Sequence, residues 1–183
     1  MVPSKSNFIV ADSSFYICFL EDIKRPDALL LMLNKFEFAF GKTVNMEISK
    51  CEHFGSIKGN SHLNLIPDLN FSEVLKPFFG EYENAKGESE IIALAIILYG
   101  ISRIDKLILD EDGPRAFVER NLPNLAHFMT GTVGFVGKCC CETYILEAEK
   151  TLQILSEIEH SPFRVSYNVL STIRRSIYEK FGL

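Results

Sequence analysis

Acidic side chains occur at four places where a hydrophobic segment of the sequence begins or ends. These places hold Asp12 after FIVA, Glu52 in SKCEHFG, Glu88 and Glu90 in GESEIIALA, and Asp110 and Asp112 in KLILDED. Carboxylates held at the ends of buried elements can converge on divalent cations. Two cations ~3.5–4 Å apart hydrolyse a phosphodiester, because one activates water and the other steadies the leaving oxygen. The spacing therefore predicts a metal-dependent nuclease.

The donor types indicate which metal such a site would take. Carboxylate oxygens suit Mg²⁺, which keeps several of its waters, and Mn²⁺, which accepts similar donors. The four histidines show no ligand spacing, and three of the five cysteines are consecutive rather than in the C-x-x-C pattern of zinc sites. The predicted cofactor is therefore Mg²⁺ or Mn²⁺. The free thiols favour a reducing cytosol.

Each acidic residue also has a purely structural explanation. Acids in the first turn of a helix commonly interact with the helix dipole, as Glu88 and Glu90 would. Two residues apart on a regular helix, they project to nearly opposite sides, so we expect only one of them to reach a metal. Asp112 belongs to a D-G turn signal, and Glu52 taken alone is a solvated charge. Asp12 directly ends a wholly apolar segment, which makes it the strongest single candidate.

The segments around these acids alternate between strand and helix. Phe8 to Ala11 form a short apolar run typical of a central parallel strand, so Asp12 would lie at its carboxyl end, where ligand sites of open α/β sheets gather. GESEIIALAIILYG predicts a buried helix, KLILDED a strand ending in acids, GPRAFVERN a helix, and HFMTGTVGFVGK a strand ending in a threonine and glycine turn. This order predicts an α/β fold, a three-layer α/β/α sandwich with a mostly parallel sheet.

The remaining segments complete the predicted order of elements. Helices are expected from Ser13 to about Glu21 and from Pro26 to about Phe40, followed by a second strand from Lys42 to Ile48. Gly and Pro recur from Ser56 to Lys86 and predict a flexible or edge region with short elements. The tail from Glu142 to Leu183 predicts two helices broken around SPFR, the second with an apolar stripe.

Length and composition predict one globular domain. A chain of 183 residues, 47% hydrophobic and 23% charged, can bury one well-packed core. The net charge of −5 argues against a broad basic face for duplex nucleic acid, although a carboxylate site contributes negative charge of its own. No segment has the ~18 uninterrupted apolar residues of a membrane span or the pattern of a signal peptide. We therefore expect a cytoplasmic protein with no membrane partner.

The order of these motifs resembles the PIN-domain family of ribonucleases, and most closely the branch similar to the VapC toxins of prokaryotic toxin–antitoxin pairs. The matching stretches are FIVADSS, GESEIIALA, LILDEDGPRAFVERN, MTGTVGFVGK and SPFRVSYNVLSTIRR, which span nearly the whole chain. The resemblance implies a PIN-like catalytic domain over residues 1–141 and a C-terminal helical extension over residues 142–183 packed on the same domain. It also implies an endoribonuclease that hydrolyses RNA phosphodiester bonds.

The resemblance assigns roles to the acidic residues. The expected catalytic cluster is Asp12, Glu52, Glu88, Glu90, Asp110 and Asp112, of which Asp12, Glu90 and Asp110 would bind the metal. Glu47 is an alternative to Glu52, because the pattern around Glu52 is weak. The strand of the similar branch often ends in two consecutive aspartates, whereas this chain has D-E-D. Either Glu111 or Asp112 can therefore take the second place.

Residues expected to contact the substrate lie close to these acids in sequence. They are Ser13, Arg115, Thr130, Thr132 and Lys138. Turns that expose hydroxyl and N–H groups hold phosphates well, and basic side chains can meet the scissile phosphate. The structural alternatives are a tight strand-to-helix turn for the threonines and surface salt bridges for the basic residues.

The resemblance also implies partners. They are an RNA substrate, a homodimer and an antitoxin protein that would dock on the apolar stripe of the last helix and near Phe15 and Phe19. The alternative function is a non-catalytic PIN-like interaction module of an RNA-processing complex. A phosphotransfer domain with Asp12 as nucleophile is disfavoured, because no second aspartate follows two residues later.

Overall fold

A parallel sheet of five strands, in the order β3-β2-β1-β4-β5, forms the centre of the described part of the chain. The computed structural model of the protein describes residues 7–67, 70–79 and 87–183. The strands are β1 (Phe8–Ala11), β2 (Glu37–Gly41), β3 (Leu63–Ile66), β4 (Ile104–Ile108) and β5 (Met129–Thr130). Because every neighbouring pair is parallel, the carboxyl ends of all the strands lie at one edge of the sheet.

Helices connect the strands and flank the sheet. Within the described residues they are α1 (Ser13–Ile17), α2 (Pro26–Leu33), α3 (Lys42–Ile48), α4 (Phe71–Phe79), α5 (Gly87–Gly100), α6 (Asp112–Asn121), α7 (Pro123–Ala126), α8 (Thr132–Cys141), α9 (Ala148–Glu159) and α10 (Tyr167–Phe181). A π-helical turn, Cys18–Asp22, extends α1. The predicted three-layer α/β/α sandwich is confirmed, with a sheet that is parallel throughout. No helix in this part of the chain combines the length and the apolar character that spanning a bilayer requires.

The core holds α1 and α5 against the central strands. α5 packs against β1, β2 and β4, and its residues 91–95 are buried, as predicted for this helix. Phe15 of α1 stacks on Phe38 of β2 at 5.7 Å between ring centroids, and Phe135 of α8 meets Phe15 edge-on at 5.9 Å. Aromatic pairs of this kind add about 0.5–1.5 kcal/mol beyond the burial of their surface. Phe15 and Phe19 are fully buried, so neither side chain can itself contact a partner at the predicted docking surface.

The predicted helix from Pro26 to Phe40 is wrong in its second half. α2 ends at Leu33, and residues 37–41 form β2. This strand lies between β1 and β3, and its residues 38–40 are at most 2% exposed. The sequence of a strand buried on both faces is a continuous apolar run. When such a run is short, its hydrophobic residues fit the period of a helix equally well, so the pattern does not distinguish the two.

The predicted strand from Lys42 to Ile48 is the helix α3. The sequence alternates at Val44, Met46 and Ile48, but only Val44 and Ile48 are buried, whereas Met46 is 51% exposed. The two buried residues are four positions apart and therefore share one face of a helix.

The predicted strand in HFMTGTVGFVGK is also mostly helix. β5 is limited to Met129 and Thr130, and α8 begins at Thr132. Val133, Val136 and Cys140 are buried at intervals of three and four residues, which is the spacing of a helix face. Thr132 consequently lies at the amino terminus of a helix rather than in a turn that ends a strand.

The edge region is present as predicted, with short elements. β3 is an edge strand and α4 follows it, while residues 68–69 and 80–86 of the predicted region lie outside the described residues. The tail forms α9 and α10, which both pack against α8. Leu170 and Ile177 of α10 are buried, so much of its apolar stripe is covered within the chain itself and not left for a partner.

Gly137 allows α8 and α10 to approach closely. A Cβ atom added at Gly137 would lie 2.7 Å from Cγ2 of Ile173, closer than side chains normally approach. Ile is branched at Cβ and has little freedom to move away. The absence of a side chain at residue 137 therefore sets how closely the C-terminal helix packs on the domain.

We predict that Gly137→Ala lowers the free energy of unfolding by about 1 kcal/mol. Overpacking against Ile173 costs about 1–3 kcal/mol, whereas the higher helix propensity of Ala returns up to ~1 kcal/mol. Urea unfolding measures the change. In the control Gly100→Ala, at the end of α5, the added Cβ meets no atom within 4 Å, so stability should stay equal or rise. In an Ile173→Ala background, adding Gly137→Ala should no longer lower the free energy of unfolding. A single Gly137→Ala variant as stable as wild type would contradict this explanation.

Candidate functional site

Asp12 and Asp110 meet at the carboxyl edge of the sheet, where β1 and β4 end side by side. Ala11 pairs with Ile108, and the Asp12 N–H donates to the Ile108 carbonyl at 3.3 Å. The Ser14 hydroxyl lies between the two carboxylates, 2.5 Å from Asp12 Oδ1 and 3.3 Å from Asp110 Oδ2. The structure thus brings together two acids that are 98 positions apart in sequence, as residues 12 and 110.

Asp12 is a buried carboxylate at the start of a helix. It is the N-cap of α1, and its Oδ1 accepts a hydrogen bond from the Phe15 N–H at 3.3 Å. The residue is only 3% exposed. Burial, together with the charge of Asp110, raises the pKa of Asp12 to about 7, although the hydrogen bond from Ser14 opposes the shift. A nearby cation would stabilise the ionised carboxylate of Asp12 and so lower its pKa again.

Asp110 is held by Thr132 at the start of another helix. The Thr132 N–H donates to Oδ1 at 2.8 Å, and the Thr132 hydroxyl donates to Oδ2 at 2.6 Å. Burial raises the pKa of Asp110, whereas the two bonds from Thr132 and the nearby Arg115 lower it. A Cβ atom added at Gly131 would lie 3.0 Å from Oδ1, so a glycine in this turn leaves room for the carboxylate.

A cleft of about 1140 Å³ opens beside this pair. Ser13 and Ser14 of α1 form one side of the cleft. A second side is formed by Asp110–Asp112 and by Arg115, which follow β4 and begin α6. The connection between α9 and α10 lines the cleft with Pro162–Ser166. The lining carries four acids and two arginines, namely Asp22, Asp110, Glu111, Asp112, Arg115 and Arg164. Sequence reasoning missed Asp22 and Arg164, because only the π-helical turn and the path of the C-terminal segment bring them to the cleft.

Glu90 caps a third helix. Both of its carboxylate oxygens accept from the Thr43 N–H, at 3.1 and 3.0 Å, and Oε1 also accepts from the Val44 N–H at 3.2 Å. The N-cap of α3 is Gly41, which has no side chain to offer, and a Cβ there would collide with the Glu90 carboxylate. Glu90 therefore satisfies the free N–H groups of α3 from outside the helix. Metal binding by Glu90 stays a prediction.

Two further predicted acids lie on or after α3. Glu52 is exposed, and its carboxylate lies 3.2 Å from the Lys24 ammonium in a surface ion pair. Glu47, the alternative to Glu52, has a half-buried side chain on α3 itself. The side chain of Glu88 lies outside the described residues. The structure thus does not bring Glu52 to the pair formed by Asp12 and Asp110.

The predicted substrate-binding residues divide into two groups. Ser13 and Arg115 line the cleft, and Arg115 Nη1 donates to the Leu109 carbonyl at 2.8 Å. The other three residues have internal partners: Thr132 binds Asp110, the Thr130 hydroxyl contacts the Gly131 carbonyl at 3.3 Å, and Lys138 lies 4.0 Å from Glu142 one turn along α8.

The donor set fits a loosely held magnesium-type ion. Within the described residues, no group of three or more His, Cys, Asp or Glu side chains lies close enough to form a complete metal site. Mg²⁺ is commonly held by one or two carboxylates, with water and substrate phosphate oxygens as its other ligands. Asp12 and Asp110 supply two adjacent carboxylates whose pKa values are raised by burial, beside an open cleft.

Comparisons with known proteins add no relative. The chain matches no family model, no curated protein and no solved structure. The PIN-domain resemblance therefore stays a prediction from the motifs, while the parallel sheet and the aspartate pair are features of the structure itself.

We predict that Glu90→Ala lowers the free energy of unfolding by about 1–3 kcal/mol, because buried N–H groups of α3 lose their acceptor. Glu90→Gln should cost less, since its amide oxygen still accepts. Gly41→Ala should match Glu90→Ala by displacing the carboxylate, and the double variant should be no less stable than either single one. Glu119→Ala, on the exposed face of α6, is the control in urea unfolding. If Glu90→Ala unfolds like that control, the cap contributes nothing.

A second prediction concerns pH. The folded-state pKa of Asp12 is about 7 against an ordinary value of 3.8, so the folded protein holds this proton more tightly than the unfolded chain. Its contribution to stability is fully present below about pH 4 and is lost as the pH rises to 7. We expect stability to fall across that range by a few kcal/mol, since one pKa unit corresponds to about 1.4 kcal/mol.

Chemical unfolding at successive pH values measures this effect. Asp12→Asn should flatten the fall, whereas Asp105→Asn, at the opposite end of β4, should keep the wild-type profile. Added Mn²⁺ should restore stability above pH 7, because a ligand that binds only the folded state stabilises it. An unchanged profile for Asp12→Asn would show that Asp12 does not titrate in this range.

Proposed function

We propose that the protein is a PIN-like endoribonuclease that hydrolyses RNA phosphodiester bonds with Mg²⁺ or Mn²⁺. The observation that carries the proposal is the pair formed by Asp12 and Asp110, two carboxylates joined through Ser14 at the carboxyl edge of a parallel sheet. Buried like charges at such an edge, beside a cleft, are the kind of arrangement that active sites use.

The electrostatics favour a cation between these carboxylates. Burial raises the pKa of both carboxyl groups, and the charge of Asp110 raises the pKa of Asp12 further. A divalent cation held by Asp12 and Asp110 would supply positive charge at a phosphate and make a bound water more acidic. Glu90, whose carboxylate is engaged by α3, is not needed for this arrangement.

The surrounding donors support a preorganised site. The Ser14 hydroxyl donates to Asp12 and lies 3.3 Å from Asp110 Oδ2. Thr132 fixes Asp110 with two hydrogen bonds, and Phe15 contributes its N–H to Asp12. A site held in this way needs little rearrangement when substrate binds. Glu111 and Asp112, which also line the cleft, are the proposed further acids.

The resemblance extends the proposal to a biological setting. In that setting the nuclease is the toxin of a prokaryotic toxin–antitoxin pair in the cytoplasm. Its partners are an antitoxin protein and a second copy of the chain.

A second candidate function is a non-catalytic PIN-like module of an RNA-processing complex. One observation favours it: the described residues contain no group of three or more potential metal ligands. In this case Asp12 and Asp110 serve mainly as acceptors for the N–H groups at the starts of α1 and α8.

An RNA cleavage assay tests the proposed function. We expect wild type to cleave mixed RNA in Mn²⁺ and to lose this activity in EDTA. Asp12→Asn and Asp110→Asn should each lower the rate at least about 100-fold, the loss typical when charge stabilisation of a transition state is removed. Asp105→Asn is the matched control, on β4, the strand that Asp110 follows. If Asp12→Asn cleaves as fast as wild type, or if cleavage survives EDTA, the proposed mechanism is wrong. If the folded wild-type protein does not cleave RNA, the non-catalytic PIN-like module is favoured.

A further inference from the structure

The connection between α9 and α10 is an ordered wall of the cleft. Its first end is fixed by Ser161, whose hydroxyl donates to the Ile158 carbonyl at 2.8 Å and accepts from the Phe163 N–H at 3.1 Å. Its second end is fixed by Ser166, the N-cap of α10, which accepts from the Val169 N–H at 3.3 Å. The intervening residues therefore have a defined path along the cleft.

Side chains of residues 162–166 in this connection, all of which line the cleft, alternate between exposed and partly buried. Phe163 and Val165 are partly buried and pack against the hydrophobic core, whereas Pro162 and Arg164 are exposed. Arg164 lines the cleft. The two apolar neighbours thus anchor the backbone on either side of Arg164 and leave its guanidinium on the solvent side.

Arg164 is unpaired although acids line the same cleft. Among the described residues it forms no hydrogen bond or ion pair, whereas Arg115, the other arginine of the lining, donates to the Leu109 carbonyl. An exposed arginine that shares a cleft with four carboxylates and pairs with none of them is available to an incoming anion. Its planar guanidinium matches a phosphate through two parallel hydrogen bonds.

From these contacts we infer that Arg164 binds a backbone phosphate of the RNA next to the one that is cleaved, an inference that rests on the proposed function. The acidic side of the cleft repels phosphates, so an RNA strand needs a cationic contact to lie across it in a defined register. Arg164 supplies that contact from the C-terminal extension, which makes the extension part of the substrate site. Arg164 is a positioning residue and takes no part in the chemical step.

Binding of a labelled unstructured oligouridine tests the inference. Measured by fluorescence anisotropy in the Asp12→Asn background with Mn²⁺, Arg164→Ala should weaken binding about 10-fold, the loss of one charge-assisted hydrogen-bonded contact. The slope of log K against log salt should become shallower by about 0.7, the value for one phosphate contact on a single strand. Arg164→Lys should restore the slope. Arg120→Ala, which removes the same charge on α6 away from the cleft lining, should leave it unchanged.

Cleavage kinetics in the wild-type background provide the second readout. Arg164→Ala should raise KM with little change in kcat, as expected when binding common to ground state and transition state is removed. If Arg164→Ala melts at a lower temperature than Arg120→Ala, the kinetics are measured on Arg164→Gln instead, which removes the charge but keeps more of the side chain. If wild type cleaves RNA but Arg164→Ala and Arg120→Ala have the same KM and salt slope, the inference fails and the proposed function stands. If wild type neither binds nor cleaves RNA, both fail.

Discussion

The structure depends on holding buried carboxylates close together against their mutual repulsion. Asp12 and Asp110 are neighbours because β1 and β4 pair in parallel and end at the same edge. Their charges cost free energy there, which the raised pKa values of both groups express. Ser14 and Thr132 offset part of that cost by donating hydrogen bonds to the two carboxylates.

Helix amino termini provide the same compensation at three places. Asp12 accepts from the start of α1, Asp110 from the start of α8, and Glu90 from the start of α3. The free N–H groups of a helix start carry partial positive charge, which stabilises an adjacent anion. Because β1, β2 and β5 are each followed at once by one of these helices, their starts gather at the same edge of the sheet as the acids.

Small residues make these approaches possible. Gly41 leaves room for the Glu90 carboxylate, and Gly131 does the same for Asp110. Gly137 lets α10 pack closely on α8, and this packing supports the connection that brings Arg164 to the cleft. The C-terminal helices therefore contribute to the site by position, although they carry none of its central acids.

The local pattern of the sequence was enough to predict the α/β class, the buried helix α5, both tail helices and the positions of Asp12 and Asp110 just after two strands. These features depend on apolar runs and their ends, which are visible within a few residues. The sequence misassigned β2 and α3, because a short apolar run fits either period, and because neighbouring elements decide that Ile48 is buried and Met46 exposed.

By itself, then, the sequence determined which strands end in acids and where the helices of the tail lie. Only the tertiary structure decided which acids meet. Asp110 joins Asp12 through strand pairing, whereas Glu90 turns to the N–H groups of α3, 46 and 47 residues away along the chain. It also brought Arg164 to the cleft. The physical reason is that hydrogen bonding and burial at this edge join residues far apart in sequence, so no local pattern carries that information.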